Sequence, residues 1–532
     1  MKKQMHWSRF GGVMTAGLML AAGLSAAPAG ALTLHRGIAG DLESLDPHKT
    51  STTVESAVLR ELLEGLIIDD GKGTVAKGVA ESWSISEDGM VYTFKIRPNA
   101  TWSNGDPVTA GDFVYSVRRI LDPATKAQYA SLMYPIKGAQ EINEGKADKS
   151  TLGVEATDAK TLKITLKAST PYFLSQLTHQ TGLPVNEKAV TAHGPEWTKP
   201  GKHVGNGAFT LAEVMPQAHY KLAKNSKFHD AANVKLDEVM YYPIEDRSAA
   251  LKRFRAGEIQ VYNDAPNDQI EWMRANMPKE LRIAPYAGIY YYTINTSKPP
   301  FNDVRVRKAL SLAINRELLV EKVTLAGELP GYSFVPPGTN DYTSQMVDWK
   351  PMSQADREKE AAKLLTDAGF GPGKPLKFQL DYNTSENHKK IAVAIQSMWK
   401  KLGVDVELFN TELKVHYANL REGNYAVARA GWIADYNDAQ NYLFLAETAG
   451  GPLNYTRWNN EPYNKLMAQA AVTNDLAKRR AMLEQAEKML MEGQPYIPIY
   501  YYVSKNLVSQ KVLGWNDNVF DAHPSRFLSV SN

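Results

Sequence analysis

The sequence contains no cysteine among its 532 residues. That excludes a disulfide, a thiolate zinc site and a lipid carried on an N-terminal cysteine. It has almost no charge of one sign: 61 Lys and Arg face 58 Asp and Glu, and Lys2, Lys3 and Arg9 account for the whole difference. A nucleic-acid partner is therefore not expected, because such proteins carry a clustered basic excess. Beyond the N-terminal region no run of 18 apolar residues occurs, so the sequence offers no membrane span. Enzyme signatures are missing as well. There is no H-E-x-x-H, no G-x-S-x-G, no Walker A and no G-x-G-x-x-G between strand and helix, and Gly371-Pro372-Gly373-Lys374 runs into Pro375, which cannot open a phosphate-binding helix. The eleven histidines, among them His35, His48, His179 and His193, show no metal-ligand spacing, so no cofactor or metal is expected. Carboxylate pairs such as Glu43 with Asp46, or Asp69-Asp70, carry no information without a fold.

What is present begins with residues 1–31. Basic residues, an uncharged Gly/Ala/Leu-rich stretch and Ala29-Gly30-Ala31 have the form of a secretory signal peptide with an A-x-A cleavage site, the alternative being a retained anchor. Removing it leaves 501 residues with 58 charges of each sign. The rest alternates short strands with amphipathic helices, an α/β or α+β pattern. VYTFKI at 91–96 and TLKITL at 161–166 alternate as half-buried strands. Helices are expected after Asp303, with Val306, Ala309, Leu310, Ala313 and Ile314 on one stripe; after Ser353, stopping at Gly369; from 386 to 402, ended by Gly403; and from 476 to 491, before Gly493.

Two tyrosine-rich segments stand out, YAGIYYYTIN at 286–295 and YIPIYYYV at 496–503, each bounded or interrupted by proline. Tyrosine favours strands. Two similar strands enclosing one large block suggest a chain that enters a lobe and leaves it side by side, which makes a hinge. With 26 Tyr and 10 Trp and no catalytic signature, the chain is better suited to binding than to catalysis, since these side chains combine apolar area with a polar tip.

SLDPHK (44–49), RELLEGL (60–66), GVAESW (78–83), YTFKIR (92–97), WSNGDPVTAGDFVY (102–115), PFNDVRVRK (300–308), YNTSENHKK (382–390) and ARAGWIADYN (428–437) resemble the periplasmic oligopeptide-binding proteins of ATP-binding-cassette importers. These segments span nearly the whole chain in order. Residues 78–115 are typical of the wider peptide and nickel solute-binding family, and HKK, ARAGW and ADYN of its oligopeptide branch and murein-peptide relative. The resemblance implies an α/β, two-lobed periplasmic-binding-protein fold of type II with an extra third domain. One lobe is expected from residues 32–63, 188–287 and 504–532, the extra domain from 64–187 and the other lobe from 288–503.

The resemblance also implies a site. Asp435 would pair with a peptide's α-amino group, and Arg429 and His388 would reach its α-carboxylate. An enclosed carboxylate selects a ligand with a positive end, and the planar fork of arginine matches a carboxylate. Between these ends an extended peptide would bond to backbone groups, as in strand addition, near Ser51, Thr52 and Thr53, Tyr129, Tyr262-Asn263 and Trp432-Ile433, with Tyr292 and Tyr502 on the tyrosine strands. Side-chain pockets would be lined by Trp432, Tyr262 and Tyr502, with water filling the remainder. Four positions depart from the family. A common inter-lobe disulfide falls at Gly288 and Ile433, whose contact is expected to persist as packing. A lysine that pairs with the carboxylate of longer ligands falls at Thr324, and a pocket tryptophan at Leu413; a weakened preference for long peptides, or another ligand, follows. The expected function is a monomeric, non-enzymatic periplasmic receptor that passes short peptides to an inner-membrane permease. A murein peptide, opine-like conjugate, haem or nickel complex is the alternative within the binding class, and an exported hydrolase the alternative outside it.

Overall fold

Eleven strands form one mixed sheet, and its two longest members are the tyrosine strands. The computed structural model describes residues 31–531, so the expected signal peptide lies, apart from Ala31, outside the described residues. Leu281–Ile294 and Tyr496–Val508 run antiparallel, with Leu281 opposite Leu507 and Thr293 opposite Tyr496. On one side of this pair the sheet continues through Val427–Ile433, Lys377–Asn383 and Asp405–Thr411. On the other side it continues through Val261–Tyr262, Thr33–Ile38, Glu238–Pro243, His219–Lys224 and Phe209–Met215. A parallel run with helical crossovers thus flanks the central pair on each side. From Leu32 onward the chain forms one compact unit.

Both tyrosine strands extend beyond their expected ends, because Leu281, Ile283, Leu507 and Val508 continue the apolar pattern. The ladder breaks between Pro285 and Ile289. There Ala287 turns to other partners, donating to Val519 O and accepting from Ala434 N. Alternation sends Tyr291 to one face, against Phe334 and Tyr496, and Tyr290 and Tyr292 to the other. All three rings are buried.

A separate antiparallel sheet of four strands contains both half-buried strands read from the sequence. Val91–Ile96 and Thr161–Thr165 pair with Tyr92 opposite Ile164 and Phe94 opposite Leu162, so the buried faces coincide. Helix starts follow their caps. Asp303 accepts from Arg305 N ahead of Val304–Leu312, and Ser353 accepts from Asp356 N ahead of Gln354–Asp367. Gly369 and Gly403 take the left-handed conformation past the ends of Gln354–Asp367 and Glu386–Lys400. The last long helix departs from expectation. Leu476–Gly493 includes its glycine, and Gln494 takes the left-handed turn with φ +49°. Gly493 serves packing instead: a Cβ there would lie 2.8 Å from the Trp458 ring.

Gly288 stands directly opposite Ile433 in the ladder. A Cβ at Gly288 would lie 2.9 Å from both Trp432 O and Tyr502 Cδ2 and would collide with the Ile433 side chain. The expected contact therefore persists as packing, with the isoleucine filling the space the glycine leaves. Gly288→Ala should lower stability by about 1 to 3 kcal/mol, the usual cost of overpacking. Thermal unfolding would show it as a reduced Tm, and adding Ile433→Ala should recover part of the loss; an unchanged Tm in the single variant would contradict this packing.

Candidate functional site

The strand Val427–Ile433 and the loop after it supply most of the charged candidates. Ala428, Ala430 and Gly431 keep the strand thin around Arg429. Gly431 is required for close approach, since a Cβ would lie 2.6 Å from Tyr502 Oη and 3.1 Å from Arg429 Nη2. In that gap Arg429 Nη2 donates to Tyr502 Oη at 2.8 Å, and Nη1 donates to Asn383 Oδ1 at 3.1 Å. The guanidinium lies 4.9 Å over the Tyr290 ring. His388 joins this cluster through Tyr290, whose Oη is 3.4 Å from its Nδ1. Burial, reinforced by Arg429, holds the His388 imidazole well below its ordinary pKa, hence neutral. Among the described residues no carboxylate comes within ion-pair distance of Arg429, and its Nε has no hydrogen-bond partner.

A second cluster surrounds Asp435. Asn441, fully buried, is its organiser. Asn441 Oδ1 accepts from Trp432 Nε1 at 3.0 Å and from Asp435 N at 2.9 Å, while its Nδ2 donates to Asp435 Oδ2 at 3.3 Å. The Trp432 ring lies parallel to Tyr129, 6.1 Å between centroids and 7° between planes, and Tyr129 stacks in turn on His179 at 5.2 Å. His179 Nε2 is 3.3 Å from Asp435 Oδ1. Burial pushes the Asp435 carboxyl up to about 7, against the opposing pull of the Asn441 amide and Arg60. Burial and Arg60 push His179 down to about 3. Between about pH 3 and pH 7 this contact therefore joins two mostly uncharged groups and is not an ion pair. His179 and Asn441 carry no sequence signal for these roles, because each acquires its partner only through the fold.

The remaining candidates divide. Ser51 Oγ donates to Gln128 Oε1 at 3.0 Å beside Tyr129, Thr52 caps the helix Thr53–Leu62, and Thr53 is exposed. Asn263 Nδ2 donates to Asn506 Oδ1 at 2.9 Å. Tyr262 needs correction as a pocket wall, and Tyr292 turns its ring away from a ligand path. Tyr262 is wholly buried in an apolar cluster with Ile244, Ile259 and Ile270 and donates to Ile244 O at 3.1 Å. Tyr292 packs toward Trp399 in the core. Their rings satisfy apolar packing, which leaves the backbone of 262–263 as the part able to face a ligand. Ile433 is committed to Gly288.

The family description "Bacterial extracellular solute-binding proteins, family 5 Middle" matches residues 74–454. The chain belongs to this family. The periplasmic oligopeptide-binding protein of Escherichia coli is 41% identical over 487 residues, covering 91% of this chain and 89% of that protein. The E. coli murein tripeptide-binding protein, 41% identical, superposes with a TM-score of 0.91 over 95% of this chain and 99% of its own. A Haemophilus influenzae oligopeptide-binding protein in complex with the peptide RPPGFSPFR, 35% identical, gives 0.90 over 95% and 100%. Against the unliganded open form of the murein tripeptide-binding protein the score falls to 0.69 over 94% and 98%. This family member is therefore arranged as in the first murein-protein structure and not as in the open form.

That arrangement is held outside the two clusters by a stack of Tyr172 on Tyr436, 4.7 Å between centroids and 2° between planes. Arg479 lies 5.0 Å over the Tyr172 ring and is fixed by Asp438 through bonds of 2.8 and 2.9 Å. Of the departures from the family pattern, Thr324 is buried with its hydroxyl turned to Val320 O, and Leu413 is exposed at the start of Leu413–Glu422.

Enclosure of Asp435 sets a pH dependence. The carboxyl stays protonated up to about pH 7 when enclosed without a ligand, whereas a solvated aspartate titrates near 3.9. A rise of that size corresponds to about 4 kcal/mol against the ionised form. Its contribution to the closed empty molecule is complete below about pH 4 and lost progressively as pH rises to about 7. Small-angle scattering of ligand-free protein should show a smaller radius of gyration at pH 4.5 than at pH 7.5. Asp435→Asn should remove that difference; an equal pH response in the variant would place its origin elsewhere.

Proposed function

We propose that the chain is a periplasmic receptor that encloses a short peptide between two lobes and delivers it to an inner-membrane ATP-binding-cassette importer. One observation carries this reading: Asp435 and Arg429, groups of opposite sign, are enclosed in separate clusters of one interior, and among the described residues Arg429 has no carboxylate and Asp435 only the neutral His179 within ion-pair distance. An enclosed ion without a counter-ion is costly, so each favours a ligand that supplies one. A zwitterionic chain with an ammonium at one end and a carboxylate at the other supplies both. The ammonium replaces the proton on Asp435, and the ligand carboxylate meets Arg429 with the Tyr502 and His388 groups around it.

The lobes are 32–63 with 188–287 and 504–532, and 288–503, with 64–187 as the extra domain; residues 1–31 direct export. Leu281–Ile294 and Tyr496–Val508 pass between the lobes and act as the hinge. Along the interior, Trp432, Tyr129 and Tyr502 present flat aromatic walls that accept varied side chains, while the peptide backbone bonds to main-chain groups. The oligopeptide- and murein tripeptide-binding relatives support this ligand class. A hydroxyl at Thr324 gives no cation for the carboxylate of a long ligand, which favours peptides shorter than five residues.

Native mass spectrometry of the purified protein should reveal a retained peptide or, if the murein protein is the better guide, a murein peptide. In calorimetric titration with peptides of two to six residues, an optimum at five would contradict the short-ligand reading. Asp435→Ala should weaken peptide binding by about 2 to 5 kcal/mol, and N-acetylation of the peptide should weaken binding to the unmodified protein comparably. Binding unchanged in both cases would remove Asp435 from its role.

A further inference from the structure

Arg429 shares its part of the interior with two other cations, and each of those already has a carboxylate. Arg247 Nε donates to Asp264 at 2.7 Å, and its Nη1 donates to the Ser385 hydroxyl at 2.9 Å, at the N-cap of the helix that carries His388. Lys505 Nζ lies 3.4 Å from Glu328 Oε1 and 3.0 Å from Asn267 Oδ1. This second pair is almost sealed, with side-chain exposures of 9% for Lys505 and 0% for Glu328. Leu329 pairs with Tyr501 and Pro330 with Tyr500, which brings the preceding residue, Glu328, alongside the strand that carries Tyr502 and Lys505. The charge of Lys505 acts on His388, and that of Glu328 acts on Tyr500, which stacks on Tyr290 at 4.7 Å. Three cations therefore meet two carboxylates around a neutral histidine. The uncompensated charge is that of Arg429.

We propose that Glu328 is a specificity-determining residue: by neutralising Lys505 it leaves Arg429, among the described residues at this end, as the cation without a carboxylate, so the site takes ligands that bring a single carboxylate there. The proposal rests on the reading of Arg429 as the carboxylate partner. A second carboxylate, from an acidic last residue, would find Lys505 already occupied and would face the enclosed charge of Glu328. Such a ligand is rejected by repulsion and lost hydration rather than by shape. Nothing in the sequence around Gly327-Glu328 or Ser504-Lys505 signals this, since the partners are 177 residues apart.

The test is calorimetric titration of the full chain at pH 8 with trialanine and with Ala-Ala-Glu. The unmodified protein should favour trialanine by about tenfold or more. Glu328→Gln frees Lys505 and should improve Ala-Ala-Glu by about tenfold while trialanine changes by less than about threefold. Lys505→Met, which leaves Glu328 unpaired, should move the ratio in the opposite direction by a similar factor, so a folding defect in one variant does not spare the proposal. The double variant Glu328→Gln/Lys505→Met should return to the unmodified ranking. A ratio that stays constant in either folded single variant overturns the role of Glu328. Arg429→Met tests the underlying assignment separately: trialanine affinity unchanged in that variant would refute the carboxylate reading itself, whatever Glu328 does.

Discussion

The antiparallel pairing of Leu281–Ile294 with Tyr496–Val508 is the constraint on which the rest of the structure depends. It closes the block of about two hundred residues between them into one body and places the strand Val427–Ile433 beside the first of the pair. That neighbour delivers Arg429 to Tyr502 on the second strand, and its exit loop delivers Asp435 to Asn441 and His179. The ladder is interrupted between Pro285 and Ile289, where Tyr502 stands and where Ala287 bonds outside the pair. An interruption at the centre of two long strands concentrates bending there, because each unbroken stretch on either side is held by its own hydrogen bonds and apolar contacts. In the proposed receptor the same few residues form the joint and the wall of the site.

Charge is handled inside this frame mostly by ion pairs and, where these are lacking, by hydrogen bonds. Arg36 with Glu61, Arg119 with Asp46, Glu64 with His229 and Arg526, and Lys505 with Glu328 are all buried or nearly so, and each cation has its carboxylate. Arg316, fully buried, is satisfied by the carbonyls of Pro498, Ser311 and Ile314 and by the Ser311 hydroxyl. Against that background Asp435 is kept uncharged by burial and Arg429 is surrounded by neutral hydroxyl and amide groups. Among the described residues Glu487 and Asp381 are also buried without an ion pair, so Asp435 and Arg429 stand out by their place beside Trp432, Tyr129 and Tyr502 and not by the lack of a counter-ion alone.

Local periodicity carried much of the fold. Val91–Ile96 and the tyrosine strands were readable because alternation and tyrosine propensity agree with their burial, and the helices after Asp303 and Ser353 because cap chemistry is local. The reading failed where a residue had two possible reasons to be present. Gly493 looked like a helix stop but is a packing glycine under Trp458, so the turn passed to Gln494. Tyr262 looked like a pocket wall but is a core ring, because an amphipathic side chain does not announce which of its two ends will decide its place. Asp435, Arg429 and His388 are candidates through the resemblance of their segments to a family and not from their own chemistry. His179, Asn441 and the Glu328 pair lay beyond both routes: their meaning comes from partners brought together by the sheet.

The lack of cysteine finally bears on how closure is balanced. With Gly288 and Ile433 packed instead of bridged, no covalent tie limits the joint. Contacts across the closed form are the Tyr172–Tyr436 stack, Arg479 over Tyr172, and the aromatic run from Trp432 through Tyr129 to His179. Stacked pairs and cation–π contacts contribute about 0.5 to 2 kcal/mol each. Together they offer a few kcal/mol, similar in size to the cost of enclosing an ionised Asp435 with no cation beside it. In the proposed receptor an ammonium at Asp435 would remove the opposing cost without adding to the aromatic contacts, and that difference between the two states is what a ligand needs to shift the equilibrium.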